Sequence, residues 1–273
     1  MVLATCVGLA PGQTGQMSAR PPSPRTVGLP PTVRACLFDL DGVLTETATL
    51  HARAWKAVFD ELLERRAGET KTALPPFDPV ADYDAYVDGR PREAGVRAFL
   101  AARDIDLPDG SGDDPEGAET VSALARDKDR RFLRLVHTEG VVVYPGSRRY
   151  LAAVEAAALA TAVVSSSANC AEILRSAGIA EHFAVQVDGV WIAEHHLAGK
   201  PAPDSYLAAA RRLGVAPAEA AVFEDALAGV EAGRRGGFGI VVGVDRAGQA
   251  DALAAHGAQI VVSDLADLLD GRK

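Results

Sequence analysis

The sequence predicts an α/β fold, a doubly wound parallel sheet with a mainly α-helical insert after its first strand. Two observations predict it. Six short apolar runs, at 34–38, 160–164, 183–187, 220–223, 239–244 and 259–262, lack polar alternation, as strands buried on both faces do. Helical stretches separate most of these runs, and strands that alternate with helices imply a parallel sheet.

Residues 1–31 are rich in Pro, Gly, Ser and Thr and read as a disordered tail. They lack a basic region ahead of a long apolar run, so they do not read as a signal peptide. The run at 34–38 is the first strand, and it ends directly on acidic residues. From about 49 to 137 the rhythm breaks. Trp55, Val58, Phe59, Leu62 and Leu63 recur at helical spacing and form one apolar face. A second helix is expected over 119–136, carrying Leu124, Phe132, Leu135 and Val136, with a polar stretch at 107–116 between the two. Helices are then expected at 147–158, 169–177, 203–213, 227–234 and 248–256. The chain thus divides into the tail (1–31), a sheet-based core (32–48 and 138–273) and a helical insert (49–137).

Composition narrows the function. Of 273 residues, 28 are Lys or Arg and 37 are Asp or Glu, giving a formal charge of -9. That argues against a nucleic-acid binder, which needs a basic face. No apolar run approaches the roughly 20 residues of a membrane span. Cys6, Cys36 and Cys170 form no CxxC pair and have no histidine cluster beside them, so reduced thiols in a cytoplasmic protein are expected.

Four segments carry candidate chemistry. In Asp39-Leu40-Asp41-Gly42, two acids follow a strand at a spacing of two, which puts both side chains on one side while the chain is extended. Asp39 is placed to attack phosphorus and Asp41 to give and take a proton. Solvated acids in a strand-end turn would use the same residues. Ser165, Ser166 and Ser167 end a strand just before a helix that begins near Asn169, which suits either a phosphate or simple N-capping. Lys200, ahead of Pro201, is held in a restricted backbone, either as a fixed cation or as a surface lysine in a proline turn. Glu224 and Asp225 end another strand and, with Asp39, Asp41 and a backbone carbonyl, offer the hard oxygens magnesium prefers. Together the four supply a nucleophile, a proton shuttle, phosphate donors, a cation and a metal site, the parts of phosphoryl transfer.

This ordered set resembles the haloacid dehalogenase-like superfamily of phosphotransferases over about residues 33–265, and within it the β-phosphoglucomutase group. The resemblance implies a Rossmann-like catalytic core and a cap domain made by the insert. It also implies Mg2+ as cofactor, glucose 1,6-bisphosphate as activator and intermediate, and a sugar phosphate as substrate. A monomer is expected. Thr45 and His51 match residues that position the acid/base aspartate, and Trp55 lies near the cap–core boundary, where its apolar helical face equally suits packing. Arg92, in Gly89-Arg90-Pro91-Arg92-Glu93, matches the arginine that grips the distal phosphate, and Lys128 matches a second cap cation. Ser165 and Lys200 would hold the transferring phosphoryl group, with Ser166, Ser167 and Asn169 beside them. Two family lysines are replaced, by Ala168 and Asp88. The expected reaction is interconversion of β-glucose 1-phosphate and glucose 6-phosphate through phosphorylated Asp39. A sugar-phosphate phosphatase and a non-catalytic phosphosugar-binding module are the alternatives.

Overall fold

The computed structural model describes residues 24–71 and 74–269. Among these, six strands form one parallel sheet: β1 (Ala35–Phe38), β2 (Ala160–Val164), β3 (Val185–Val187), β4 (Ala220–Glu224), β5 (Ile240–Val244) and β6 (Ile260–Val262). Their order is β3-β2-β1-β4-β5-β6. The chain winds outward one way from β1 and then returns to wind the other way from β4. The switch point, where such sheets bind ligands, lies between β1 and β4 at their carboxyl ends.

Period two explains the strand composition. Cys36 and Phe38 face one core, with Tyr150, Val163 and Phe223. Ala35 and Leu37 face the other, with Val164, Tyr206 and Val222. Phe38 stacks on Phe223 with ring centroids 4.5 Å apart, worth about 1 kcal/mol beyond its burial. Helices α4 (Pro145–Ala156), α5 (Cys170–Ala177), α7 (Asp204–Leu213), α8 (Leu227–Arg235) and α9 (Ala250–His256) cover the sheet. A short helix, α6 (Gly189–Glu194), follows β3. Cys36 and Cys170 are free and buried, while Cys6 lies outside the described residues.

One expectation is corrected. Residues 24–31, assigned to the disordered tail by composition, pack on the core. Val27 and Leu29 are buried, and the Tyr150 hydroxyl donates to Val27 O at 2.9 Å. A segment average rich in Pro and Gly hides the few apolar residues that anchor it. Residues 1–23 lie outside the described residues.

The helical insert comprises α1 (Ala48–Thr70), α2 (Arg92–Ala101) and α3 (Val121–Glu139). The expected apolar face of α1 packs against α2 and α3, with Phe59 and Phe99 stacked at 3.7 Å. Thr120 caps α3 by accepting from Ala123 N at 3.0 Å, worth about 1 kcal/mol. The chain enters and leaves the insert side by side: Glu46 N donates to Val142 O at 2.9 Å, and Tyr144 N to Leu44 O at 3.1 Å. Ser147 Oγ anchors the same junction by donating to Val43 O at 2.7 Å. No helix is long and apolar enough to cross a membrane among the described residues.

Candidate active site

Asp39 follows β1 and stays in the sheet register, its N–H donating to Phe223 O at 2.9 Å. The turn comes at Gly42, whose φ of +79° is the left-handed conformation glycine tolerates. A Cβ there would lie 1.7 Å from Asp225 Oδ2, so the two acidic loops abut. Lys200 Nζ donates to both Asp39 Oδ1 and Glu224 Oε1. Tyr206 also donates to Glu224 Oε1, at 2.9 Å, and Ala226 N donates to Glu224 Oε2 at 3.1 Å. Burial works against the charge of Lys200, but Asp39 and Glu224 outweigh it and raise its pKa. Lys200 is therefore a fixed cation.

The acids are less well compensated. Burial pushes Asp39 well above the usual carboxylate range; Lys200 opposes this, and Glu224 and Asp41 add to it. Asp225 is raised too, by burial and then by Asp88, Glu224 and Asp39. Asp39, Glu224 and Asp225 each offer an oxygen within 4.8 Å of the others. Three hard-oxygen donors with one lysine between them leave a deficit of positive charge, and a magnesium ion fits that donor set.

Asp41 faces the insert. It accepts from Thr47 Oγ1, and His51 Nε2 lies 3.4 Å from its Oδ1. Burial favours the neutral acid, yet His51 and Thr47 hold Asp41 below its usual range. Lys128 Nζ, from α3, meets His51 Nδ1. A lysine donor at Nδ1 places the imidazole proton on Nε2, toward Asp41. Burial and Lys128 lower the His51 pKa, and Asp41 opposes them.

Thr45 supports Asp41 indirectly. It is fully buried, donates to Leu40 O at 3.1 Å and shares a hydrogen bond with Thr47 at 2.8 Å. It does not line the cavity and its side chain reaches Asp41 only through Thr47, while its backbone pairs with the Asp41 turn in a β-bridge. The residue that does hold Asp41 is Thr47. It sits at the N-cap of α1 but makes no side-chain cap hydrogen bond. A threonine just ahead of a helix has the sequence signature of a cap, so the sequence gives no sign of this partner.

The serine segment is a folded loop. Ser165 Oγ accepts from Ser167 N at 3.0 Å, and Ser167 Oγ from Asn169 N at 3.2 Å. Two of its residues reach the insert: Ser166 Oγ donates to Gly89 O at 2.9 Å, and Asn169 Nδ2 to Asp129 Oδ1 at 2.6 Å. Asn169 is at the N-cap of α5 but makes no side-chain cap bond; Ser167, one of the serines read as either phosphate donors or caps, accepts from the N-cap N–H instead. Arg92 pairs with the same Asp129 oxygen at 2.9 Å.

These residues enclose a cavity of about 450 Å³. Asp39, Asp41, Glu224, Asp225, the three serines and Asn169 line it from the sheet side. His51, Trp55, Arg92 and Lys128 line it from the insert. Trp55 is mostly packing: it is buried and stacks on Phe59 at 5.0 Å. Lys200 lies behind the lining, beneath Asp39 and Glu224. Tyr83, Asp88, Arg90 and Arg126 also line the cavity and were not singled out as site residues by sequence reasoning, although Asp88 and Arg90 stand in the quoted cap loop. Burial and Glu224 push Asp88 up to about 7.

A family model of haloacid dehalogenase-like hydrolases matches residues 33–237. Over 248 residues the chain is 57% identical to β-phosphoglucomutases of Mycobacterium bovis and Mycobacterium tuberculosis, covering 90% of this chain and 95% of each relative. It is 31% identical to the β-phosphoglucomutase of Bacillus subtilis, covering 86% of this chain and 92% of that one. The crystal structure of a Clostridium difficile β-phosphoglucomutase superposes with a TM-score of 0.66 at 23% identity. It covers 86% of this chain and 93% of that one, and at this identity the match speaks to the fold.

Proposed function

The chain belongs to the haloacid dehalogenase-like hydrolase family, and on that premise we propose that it is a β-phosphoglucomutase, interconverting β-glucose 1-phosphate and glucose 6-phosphate. One observation carries the reading beyond the family: the cavity over Asp39 and Asp41 is also lined, from the insert, by the cations Arg92 and Lys128. A simple phosphatase needs one phosphate site, whereas a mutase must hold a bisphosphate by both ends.

In the cycle, the sugar 6-hydroxyl attacks the phosphorus on phosphorylated Asp39 and gives its proton to Asp41. The bond from Asp39 to phosphorus breaks, leaving glucose 1,6-bisphosphate and a free carboxylate. The bisphosphate turns end for end. Asp39 then attacks the 1-phosphate, and Asp41 returns its proton to the departing 1-oxygen. Glucose 6-phosphate leaves and Asp39 is phosphorylated again. Lys200 fixes the attacking carboxylate throughout, and Ser165 offers a hydroxyl to the phosphoryl oxygens. Thr47 and His51 hold Asp41 in place for both proton transfers. Arg92, with its planar fork, suits the phosphate that is not reacting. Magnesium bound by Asp39, Glu224, Asp225 and the Asp41 backbone would offset the charge of the transferring group. Contacts between the serine loop and the insert, such as Ser166 to Gly89, would exclude water while Asp39 is phosphorylated.

The test is the fate of β-glucose 1-phosphate with Mg2+ and a trace of glucose 1,6-bisphosphate, following glucose 6-phosphate and free phosphate in one tube. Glucose 6-phosphate as main product is expected. Free phosphate as main product would make the protein a sugar-phosphate phosphatase. Isomerisation by an Asp39→Asn protein would sink the mechanism.

A further inference from the structure

The loop between β5 and α9 contributes nothing to the cavity lining, yet two of its side chains reach both acidic loops. Arg246 Nε donates to Gly42 O at 2.9 Å and its Nη1 to Ser263 O at 2.9 Å. Its guanidinium lies 3.7 Å from the ring centroid of Tyr144, at the exit from the insert. Gln249 Nε2 donates to Asp225 O at 3.1 Å. The loop is itself braced: Asp245 Oδ1 accepts from Gln249 N at 2.8 Å, and Asp245 N donates to Val262 O at 2.8 Å.

The two carbonyls so held belong to the residues whose contact spaces the acidic loops. Gly42 and Asp225 touch so closely that even a methyl group does not fit between them. A shift of either backbone would move Asp225 relative to Asp39 and Asp41. Outer hydrogen bonds of this kind commonly fix the orientation of metal-binding side chains.

We propose that Arg246 and Gln249 are positioning residues, which hold the Asp41–Gly42 turn and Asp225 at the spacing that the divalent cation and the reacting phosphoryl group require. The proposal rests on the phosphoryl-transfer reading above, and it gives a role to a loop that touches neither substrate nor metal. Gln249 acts on the metal carboxylate through its own backbone. Arg246 acts on the turn that follows the acid/base residue.

The experiment is calorimetric titration of Mg2+ into the unmodified full chain, Gln249→Leu, Arg246→Ala and Arg246→Lys, with a thermal melt of each in metal-free buffer. Gln249→Leu and Arg246→Ala are expected to bind Mg2+ about tenfold more weakly. The melting temperature of Gln249→Leu stays close to that of the unmodified protein, since leucine occupies similar space. Arg246→Lys keeps a donor for Gly42 O and recovers part of the affinity. Unchanged Mg2+ affinity in Gln249→Leu and Arg246→Ala overturns the proposal. The ratio of affinities is read whether or not a sugar phosphate is turned over, so failure of the positioning role and failure of the mutase reading appear in different measurements.

Discussion

Replacing Lys128 by Met should stabilise the fold and cripple the site. Lys128 is 3% exposed, and burial, with Arg92 adding to it, pulls its pKa from 10.5 to about 7 against Asp41 and Asp129. At about 1.4 kcal/mol per pH unit, the ammonium costs about 5 kcal/mol in the folded protein. Against this stand its hydrogen bond to His51, about 1 kcal/mol, and its contacts over Trp55 and Phe132, about 1 kcal/mol each. Methionine keeps an unbranched chain of similar length. The net gain for Lys128→Met is therefore about 2 kcal/mol where the ammonium is charged. The sign with pH follows from the lowered value. Below about pH 7 both folded and unfolded chains hold the proton and the penalty is full; between about 7 and 10.5 the unfolded chain holds more, so the unmodified protein gains stability as pH rises. Urea unfolding at about pH 6 should show the variant more stable, and at about pH 9.5 the advantage should vanish. The same variant should lose at least about tenfold in kcat/KM, the worth of a hydrogen bond from a charged group. A variant no more stable at the lower pH, or equally favoured at both, would refute the burial argument.

Four further outcomes are expected. Thr47→Val removes a hydroxyl that holds Asp41 low, so kcat should fall about tenfold and the acid limb of the pH–rate profile should move up. Thr45→Val should move that limb in the same direction but less, because Thr45 reaches Asp41 only through Thr47. Asp88→Asn removes a carboxylate that faces the phosphate cavity and titrates near 7, so it should lower KM for the sugar phosphate at pH 8 and change it little at pH 6, where Asp88 is already neutral. Gly42→Ala would place a methyl 1.7 Å from Asp225 Oδ2, and the forced shift should cost about 100-fold in rate, read against an unfolding curve that shows the protein still folded.

The sheet was legible because its strands are buried on both faces. The run 160–164 coincides with β2, and the run 220–223 falls one residue short of β4, whose last residue is the buried Glu224. Acids at strand ends marked the site for the same reason: little else ends an apolar run so abruptly. What the sequence hid depends on tertiary partners. α2 has no strong amphipathic stripe in its ten residues, and it starts behind Pro91 in a loop that reads as a turn. Thr47 and Asn169 both sit where a helix cap belongs, and both turn away toward partners 6 and 40 residues distant. Arg246 and Gln249 lie in an ordinary loop, and only the folded chain brings them to Gly42 and Asp225.

The bridged chain segments at the mouth of the insert have a consequence for how such chains change over generations. Because Thr45 bridges to Val143, the whole of residues 46–142 is, to the sheet, one surface loop with its ends already tied together. Doubling the length of a loop adds only about 0.6 kcal/mol of closure entropy. The segment can therefore grow or shrink with little disturbance to the sheet, so long as Thr47 and His51 still hold Asp41. Substrate choice and bond-making chemistry are in that sense largely separately heritable, and a graft spliced at Thr45 and Val143 would need to keep a Thr47 and a His51 to leave Asp41 held.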